Sequence, residues 1–162
     1  MNKLVGYCFL ALVIVSCQDD DIDGYNLDTQ FVFEVYNAEG VNLLDPANAT
    51  SFQASQIDIY YEVDGEKQRV FNGNYTHPEN FSIREDEITD KHTMVLGPND
   101  GTDEGTTVTY VQWNENDADT ITCDIARGKR FAVTTQITYN GQEVWSVDGE
   151  DYSERRYFTI IK

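Results

Sequence analysis

Residues 131–147 read FAVTTQITYNGQEVWSV. The apolar and β-branched residues at 131, 133, 135, 137 and 139 alternate with their neighbours, and this period of two is typical of a half-buried strand. Asn140-Gly141 follows at once, and this dipeptide favours a tight β-hairpin turn because both residues tolerate positive φ. Residues 142–147 then return as a second strand. The stretch therefore predicts an antiparallel hairpin and an all-β fold.

Strand-like runs continue along the chain from residue 29 onward. They lie at 31–36, 57–64, 93–96, 107–113, 120–126 and 156–161. Turn dipeptides such as Asp64-Gly65 and Asn72-Gly73 separate them. About eight strands at this spacing predict one antiparallel β-sandwich over residues 29–162, and we favour an immunoglobulin-like arrangement. At most a short helical turn fits near residues 84–90.

The start of the chain has the pattern of a removable secretory signal. Lys3 precedes an apolar run at 4–15, which Ser16 and Cys17 end. The run is too short to span a bilayer, which needs about 20 apolar residues. Residues 14–17 read IVSC, a lipobox in which the thiol of Cys17 is acylated and becomes the new N-terminus. We therefore predict a signal peptide at 1–16 and a lipid anchor on Cys17. The alternative is an ordinary signal peptide with a chance cysteine at its end.

The cysteines leave no pair for a structural disulfide. Cys8 lies in the leader and Cys17 is the predicted anchor, so Cys123 remains. Cys123 is expected on the same face of its strand as Ile121 and Ile125, because the three residues are spaced two apart. We therefore expect a buried core residue there rather than a nucleophile.

An acidic run follows the predicted anchor. Gln18, Asp19, Asp20 and Asp21 come directly after Cys17. In this the chain resembles lipoproteins of the Bacteroidota, in which an acidic cluster behind the acylated cysteine signals export to the cell surface. The resemblance implies that residues 18–21 are an export signal and that the protein is anchored in the outer membrane, facing the exterior. Residues 17–28 would then be a flexible tether with a mean reach of about 17–20 Å.

The acidic run also allows a calcium-loop interpretation. Asp19, Asp21, Asp23 and Gly24 match the first half of the pattern D-x-D-x-D-G. The twelfth position of that pattern is a bidentate Glu, whereas this chain has Gln30. No helical pattern flanks the loop, so an export signal is the simpler interpretation.

A weaker resemblance reaches into the body of the chain. Residues 33–35 (FEV), 40–46 (GVNLLDP) and 157–160 (YFTI) resemble segments of small Bacteroidota lipoproteins of uncharacterised function. No catalytic residues come with that resemblance. Leu43 and Leu44, next to Asp45-Pro46, predict a loop that tucks two apolar side chains under the sandwich.

The net charge excludes one large class of partner. Eleven Lys and Arg against 29 Asp and Glu give a formal net charge of −18. Such a surface repels phosphate backbones, so we expect no binding of DNA or RNA.

No nucleophile–base set is visible in the sequence. The histidines, His77 and His92, lack the close spacing of zinc ligands. We therefore predict no enzyme activity and no obligatory cofactor, although carboxylates are too numerous for a glycosidase pair to be excluded by counting. The loop with Asp100, Asp103 and Glu104 concentrates oxygen ligands and is a candidate calcium site; the alternative is a plain solvated loop.

Aromatic side chains are the candidates for ligand contact, because sugar rings stack on exposed aromatic faces. Tyr60 falls on the polar side of its strand, Trp113 ends a strand among amides, and Trp145 follows the hairpin turn. We take these three as a candidate ligand platform. The alternative is that both Trp close the ends of the core.

One three-residue motif points to a modification. Asp119-Thr120-Ile121 resembles the Asp-Thr-aliphatic site at which Bacteroidota attach O-glycans. That resemblance implies a glycan on Thr120.

These patterns together predict a lipid-anchored, non-enzymatic binding module at the cell surface. It would contact the membrane through the lipid on Cys17 and bind a glycan or a protein partner. The alternative is a structural subunit of an outer-membrane assembly that pairs through an exposed edge strand. A hydrolase is the third hypothesis, and it lacks a visible nucleophile and base.

Overall fold

The computed structural model describes residues 25–101, 105–149 and 155–162, and the regular elements there are β-strands apart from a short 3-10 helix, Ala54–Gln56. No helix in these ranges has the length and apolar character needed to cross a membrane. The strands are β1 (Asn26–Asp28), β2 (Phe31–Tyr36), β3 (Asp58–Val63), β4 (Glu66–Arg69), β5 (Phe81–Asp86), β6 (Lys91–Leu96), β7 (Thr106–Asn114), β8 (Asp117–Gly128), β9 (Phe131–Tyr139), β10 (Gln142–Ser146) and β11 (Tyr157–Ile161).

The strands form two packed sheets. The seven-stranded sheet has the order β1-β9-β8-β7-β3-β4, with β10 also paired to β9, and the four-stranded sheet has the order β11-β2-β6-β5. The predicted all-β, sandwich-like architecture is confirmed at this level. The predicted all-antiparallel pairing is wrong, because β1 runs parallel to β9 and β11 runs parallel to β2. Both sheets are therefore mixed.

The core lies between the two sheets. Phe33 of the four-stranded sheet packs edge-on against Trp113 of the seven-stranded sheet, with 6.5 Å between the ring centroids. Phe33 also stacks on Phe158 of β11 at 5.3 Å. The predicted tucked loop is confirmed, since Leu43 and Leu44 are 7% and 1% exposed. Burial of such apolar side chains is the main favourable term in folding, at about 25 cal/mol per Å².

Two tight turns connect neighbouring strands as their sequences predict. Asp64 and Gly65 have φ of 54° and 78°, and Asn140 and Gly141 have φ of 49° and 82°. Positive φ at both central residues is the type I′ turn, whose twist matches that of the flanking strands. The Asn140-Gly141 hairpin between β9 and β10 is thus confirmed.

A β-bulge changes the face that β9 buries. The ladder between β8 and β9 goes from Gln136 to Thr134, which leaves Thr135 without a directly opposite residue. Ile137 is buried after the bulge, but before it Ala132 is buried whereas Phe131 is 42% exposed. The alternation predicted from residue 131 is therefore correct for the second half of β9 and inverted in the first half, because one extra residue shifts a period-two pattern by one.

Three strands differ from the sequence-based expectation of about eight. β1 occupies residues 26–28, the end of the predicted tether, and is part of the seven-stranded sheet. β4 completes the hairpin after Asp64-Gly65. β5 occupies 81–86, where at most a short helical turn was expected; one turn remains at 87–90, in which the Asp90 N–H donates to the Asp86 carbonyl at 2.8 Å before β6 begins.

Candidate functional site

The predicted tryptophan platform is wrong, because both indoles are buried. Trp113 is 0% exposed and Trp145 is 5% exposed. The Trp113 Nε1–H donates to Asp119 Oδ2 at 2.5 Å, which satisfies the polar edge of the ring inside the core. Trp113 also stacks on Phe52 at 4.7 Å between centroids. Neither tryptophan presents a face to a ligand.

Tyr60 and Thr120 lie on two different strands of the seven-stranded sheet, and both are half-buried. Tyr60 is half-buried in β3, opposite Arg69 and Tyr110 in the neighbouring strands. Thr120 is half-buried in β8, and its backbone N–H donates to Asn140 Oδ1 at 2.9 Å. The aspartate before it, Asp119, is only 7% exposed.

Several predicted residues lie outside the described ranges. These are the anchor Cys17, the export signal Gln18, Asp19, Asp20 and Asp21, and the calcium candidates Asp103 and Glu104. The third calcium candidate, Asp100, is described, and its Oδ2 accepts a hydrogen bond from Thr29 Oγ1 at 3.1 Å. Within the described ranges, no group of three or more His, Cys, Asp or Glu side chains is placed to hold a metal ion.

Cys123 is a core residue, as its parity predicts. It is 0% exposed in β8. Burial raises the pKa of its thiol to about 12. A thiol in this state is neither a nucleophile nor a metal ligand at neutral pH.

A cleft opens at one end of the sandwich, where three connections between the two sheets meet. These are residues 29–30 between β1 and β2, residues 70–80 between β4 and β5, and residues 97–100 after β6. The cleft has a volume of about 580 Å³, within the usual range of ligand pockets. We call it the rim cleft, and its lining includes Leu27, Asp28, Phe71, Tyr75, Asn80 and Asp100.

Two aromatic rings stand exposed on the rim cleft. Phe71 is 64% exposed and Tyr75 is 65% exposed. The guanidinium of Arg69 lies 5.9 Å from the centroid of the Phe71 ring and supports one side of it. Arg69 is itself held by ion pairs to Asp58 and Glu79. The Phe71 ring therefore has an ion-paired guanidinium near one side while much of its surface faces solvent.

The floor of the rim cleft is a closed set of hydrogen bonds. Tyr61 OH donates to the carbonyl of Gly97 at 2.9 Å and accepts from Asn80 Nδ2 at 2.7 Å. The Gly97 N–H donates to the carbonyl of Asn80 at 3.0 Å. A Cβ at Gly97 would collide with the Asn80 side-chain amide, so a larger residue would displace the group that donates to Tyr61. Burial raises the pKa of Tyr61 to about 12, so this hydroxyl stays protonated and the floor stays intact at neutral pH.

One wall of the rim cleft is fastened by an arginine. Arg156 donates from Nη1 and Nη2 to the two carboxylate oxygens of Asp28, both at 2.8 Å, and from Nε to the Thr134 carbonyl at 3.2 Å. Its guanidinium lies over the Trp145 ring at 5.5 Å. The hydrogen bonds from Arg156 hold the pKa of Asp28 below its usual value. We call this contact set the Arg156 clasp; it ties β1 to the sheet.

The aromatic residues of the rim cleft were missed in the sequence. Phe71 and Tyr75 flank the turn at Asn72-Gly73, where no period-two pattern assigns a side chain to core or solvent. Aromatic residues on both sides of a turn signal were the available clue, since a turn lies at the surface. Their meeting with Asp28 and Asp100 depends on pairing between distant strands and has no local signal.

No protein-family model, curated protein or solved structure matches this chain.

Proposed function

We propose that the chain is a lipid-anchored, surface-exposed, non-enzymatic binding module whose rim cleft takes a carbohydrate. The observation that carries the proposal is the pair of exposed rings, Phe71 and Tyr75, on a cleft that polar side chains also line. Exposed aromatic side chains beside polar groups are typical of a ligand site rather than of a plain solvated surface.

The aromatic side of the rim cleft supports stacking of a sugar ring. The C–H face of a pyranose packs on an aromatic face, and stacking is favoured when the aromatic ring is already held in place. Arg69 backs the Phe71 ring, and the loop that carries Tyr75 is braced by backbone hydrogen bonds from Asn72 N to Pro78 O and from Tyr75 N to Asn72 O.

The polar side supports recognition of hydroxyl groups. Gln30, Asn72 and Asn80 place amides along the cleft, and Asp100 places a carboxylate there. Amides offer both donors and acceptors, and a carboxylate accepts hydrogen bonds from hydroxyls. A glycan fits this mixture better than a purely apolar ligand would.

The same residues support a role without turnover. Asp28 is bound at both oxygens by Arg156, and its lowered pKa makes it a poor proton donor at neutral pH. The buried thiol of Cys123 is not accessible to a substrate. We expect incubation with a bound polysaccharide to release no reducing ends, measured by a reducing-sugar assay.

Binding can be tested with single substitutions in the cleft. A glycan array or isothermal titration should reveal a bound polysaccharide, and Phe71→Ala and Tyr75→Ala should each weaken it about tenfold, or about 1.4 kcal/mol. Ile161→Ala is the matched control, because Ile161 is equally exposed (65%) but lies beside Tyr36 at the opposite end of β2. Equal affinity of Phe71→Ala, Tyr75→Ala and the parent chain would place the ligand elsewhere.

The anchor and the location are separate parts of the proposal and rest on the sequence. Intact-mass analysis should show an acylated N-terminal cysteine at position 17, and Cys17→Ala should release the protein from membranes. Protease treatment of whole cells should remove the domain if it faces the exterior. Protection from protease on intact cells would contradict surface display.

The rival assignment, a structural subunit that pairs through an edge strand, is disfavoured at the edge formed by β4. β4 edges the seven-stranded sheet and reads EKQR, with all four residues exposed. Charged side chains on an edge strand oppose pairing with another chain. An immunoglobulin-like arrangement stays part of our proposal at the level of two facing sheets around a shared core.

A further inference from the structure

We infer that the rim cleft takes an uncharged polysaccharide and rejects glycans that carry carboxylate or sulfate groups. The inference rests on the proposed function and concerns the charges around the same cleft. Two carboxylates, Asp28 and Asp100, line the cleft, and no lysine or arginine does so in the part of the chain that the structure describes.

Arg156 is close to the cleft but is not available to a ligand. It is 6% exposed, and its Nε, Nη1 and Nη2 atoms are committed to the Thr134 carbonyl and to the two oxygens of Asp28. Its guanidinium also lies over the Trp145 ring. The Arg156 clasp therefore neutralises Asp28 and leaves no cation to pair with an anionic sugar.

Arg69 stands beside Phe71, yet it is also committed. It donates to Asp58 and to Glu79, the latter at 2.6 Å. One cation between two carboxylates leaves this group with a net negative charge. An acidic group on a sugar stacked against Phe71 would therefore approach a group of three side chains whose net charge is already negative.

Asp100 adds a negative charge to the cleft, and among the described residues no Lys or Arg pairs with it. Its described hydrogen bond comes from the Thr29 hydroxyl at 3.1 Å, and a hydroxyl carries no charge. An anionic group bound within about 4–6 Å of this carboxylate would be repelled in a setting only partly screened by solvent. The formal net charge of −18 adds a longer-range repulsion that salt weakens.

The test compares neutral polysaccharides with their own sulfated derivatives. The full-length protein, purified in detergent, is titrated with dextran, a β-1,3-glucan and a β-1,4-mannan, each beside its sulfated form, at low and at high salt. We expect at least one neutral polysaccharide to bind. Its sulfated form should bind at least about tenfold more weakly, and this difference in affinity should become smaller as the salt concentration rises.

A charge variant separates a local effect from a global one. Asp100→Asn should reduce the difference in affinity between the neutral and sulfated polysaccharides at low salt. Glu39→Gln changes the net charge equally but lies in the exposed turn after β2, at the end of that strand away from the cleft, and should leave this difference nearly unchanged. Equal effects of the two variants would overturn the assignment to Asp100.

The inference and the proposed function fail in different ways. Binding of a sulfated form as tightly as its neutral parent, with affinity that falls as salt rises, would overturn the inference and leave a carbohydrate-binding module. Absence of binding to every neutral and every sulfated chain would overturn the proposed function and the inference together.

Discussion

Asp119 is nearly buried, yet it accepts hydrogen bonds from four side chains. Trp113 Nε1 donates to it at 2.5 Å and Asn140 Nδ2 at 2.8 Å, and the Tyr139 hydroxyl and the Lys162 ammonium complete the set. A buried carboxylate is tolerated only when such partners replace its water. This network connects β7, β8, the β9–β10 turn and the residue after β11.

Removing the Asp119 carboxylate should destabilise the fold strongly. Asp119→Ala leaves the Trp113 indole without its acceptor and removes one of the two carboxylates that accept from the Lys162 ammonium, and we expect a loss of about 3 kcal/mol in the free energy of unfolding. Urea titration would measure it. Asp117→Asn is the control, because Asp117 also contacts Lys162, at 2.8 Å, but is 35% exposed and should cost under about 1 kcal/mol. Similar losses in the two variants would contradict the role of burial.

The same carboxylate should make stability depend on acid pH. Burial alone would raise the pKa of Asp119, but hydrogen bonds from Lys162, Tyr139, Asn140 and Trp113 outweigh it and hold the pKa below its usual value. The stabilisation is therefore present above the unfolded-state pKa of about 3.9 and is lost as pH falls through the lower folded-state value. The gap in unfolding free energy between the parent chain and Asp119→Asn should shrink below about pH 4. A difference in unfolding free energy that stays constant down to pH 3 would contradict the assignment of this pH dependence to Asp119.

Cys123 should resist alkylation in the folded protein. Burial raises its thiol pKa to about 12, so the reactive thiolate is scarce at pH 8 and the side chain is also closed to solvent. Iodoacetamide should modify it at least about a thousandfold more slowly than in the urea-unfolded chain. Mass spectrometry of the peptide that contains Cys123 measures the alkylation of this residue separately from that of Cys8 and Cys17. Rates within tenfold of each other would show that β8 opens readily.

Sequence predicted the burial of single residues correctly where the alternation of side chains along a strand determines it. It failed where a residue distant in sequence determines the burial. Cys123 is buried with Ile121 because both sit on one face of β8. Trp113 was assigned to a ligand platform because it ends a strand among amides, yet Asp119 satisfies its N–H and the ring closes the core. Phe71 could not be placed at all, since no periodic run contains it.

At the scale of elements, the Arg156 clasp decides whether β1 belongs to the sheet. β1 has only three residues, each of them exposed, and such a short strand is not stable by its ladder alone. Arg156→Gln should remove the paired hydrogen bonds to Asp28 and reduce the unfolding free energy by about 1–2 kcal/mol, discounted because Asp28 is 54% exposed. Backbone amides of residues 26–28 should exchange with deuterium at least about tenfold faster, measured by mass spectrometry.

Arg155→Gln is the matched control for that experiment. Arg155 pairs with Asp86 of β5, on the far edge of the four-stranded sheet. It should reduce global stability without changing exchange in residues 26–28. Unchanged exchange in Arg156→Gln would show that the clasp does not hold β1.

The strands that sequence patterns missed share a physical reason. β4 reads EKQR and is exposed throughout, so no apolar alternation marks it, and only the Asp64-Gly65 turn points to it. β1 was taken for tether because both of its partners are distant in sequence: it pairs with β9, and Asp28 is bound by Arg156, 128 residues away. In β9 the bulge at Thr135 inverts the buried face, and its register is visible only against β8. The two-sheet architecture could still be predicted, because many other strands show a clear alternation of apolar and polar residues.

For the whole molecule, the two ends of the sandwich are closed differently. At one end the Asp119 network joins both sheets through buried polar contacts, and Lys162 also donates its N–H to the Tyr36 carbonyl at 2.8 Å. At the other end three connections surround the rim cleft, which is open to solvent. A ligand seated there would contact segments of both sheets and so oppose their separation.

Ligand binding in the rim cleft should therefore raise the unfolding temperature of the entire domain. A polysaccharide at 100 times its dissociation constant adds about 2.7 kcal/mol, which corresponds to a rise of roughly 5–10 °C in Tm for a domain of this size. Phe71→Ala, which we expect to bind about tenfold more weakly, should reduce this rise to about half in a thermal-unfolding scan at the same ligand concentration. The same variant should leave the Tm without ligand nearly unchanged, since Phe71 is 64% exposed and exposed substitutions usually change stability by less than about 0.5 kcal/mol. Ile161→Ala should keep the full rise, and a rise preserved in Phe71→Ala would mean that the stabilising ligand binds outside the rim cleft.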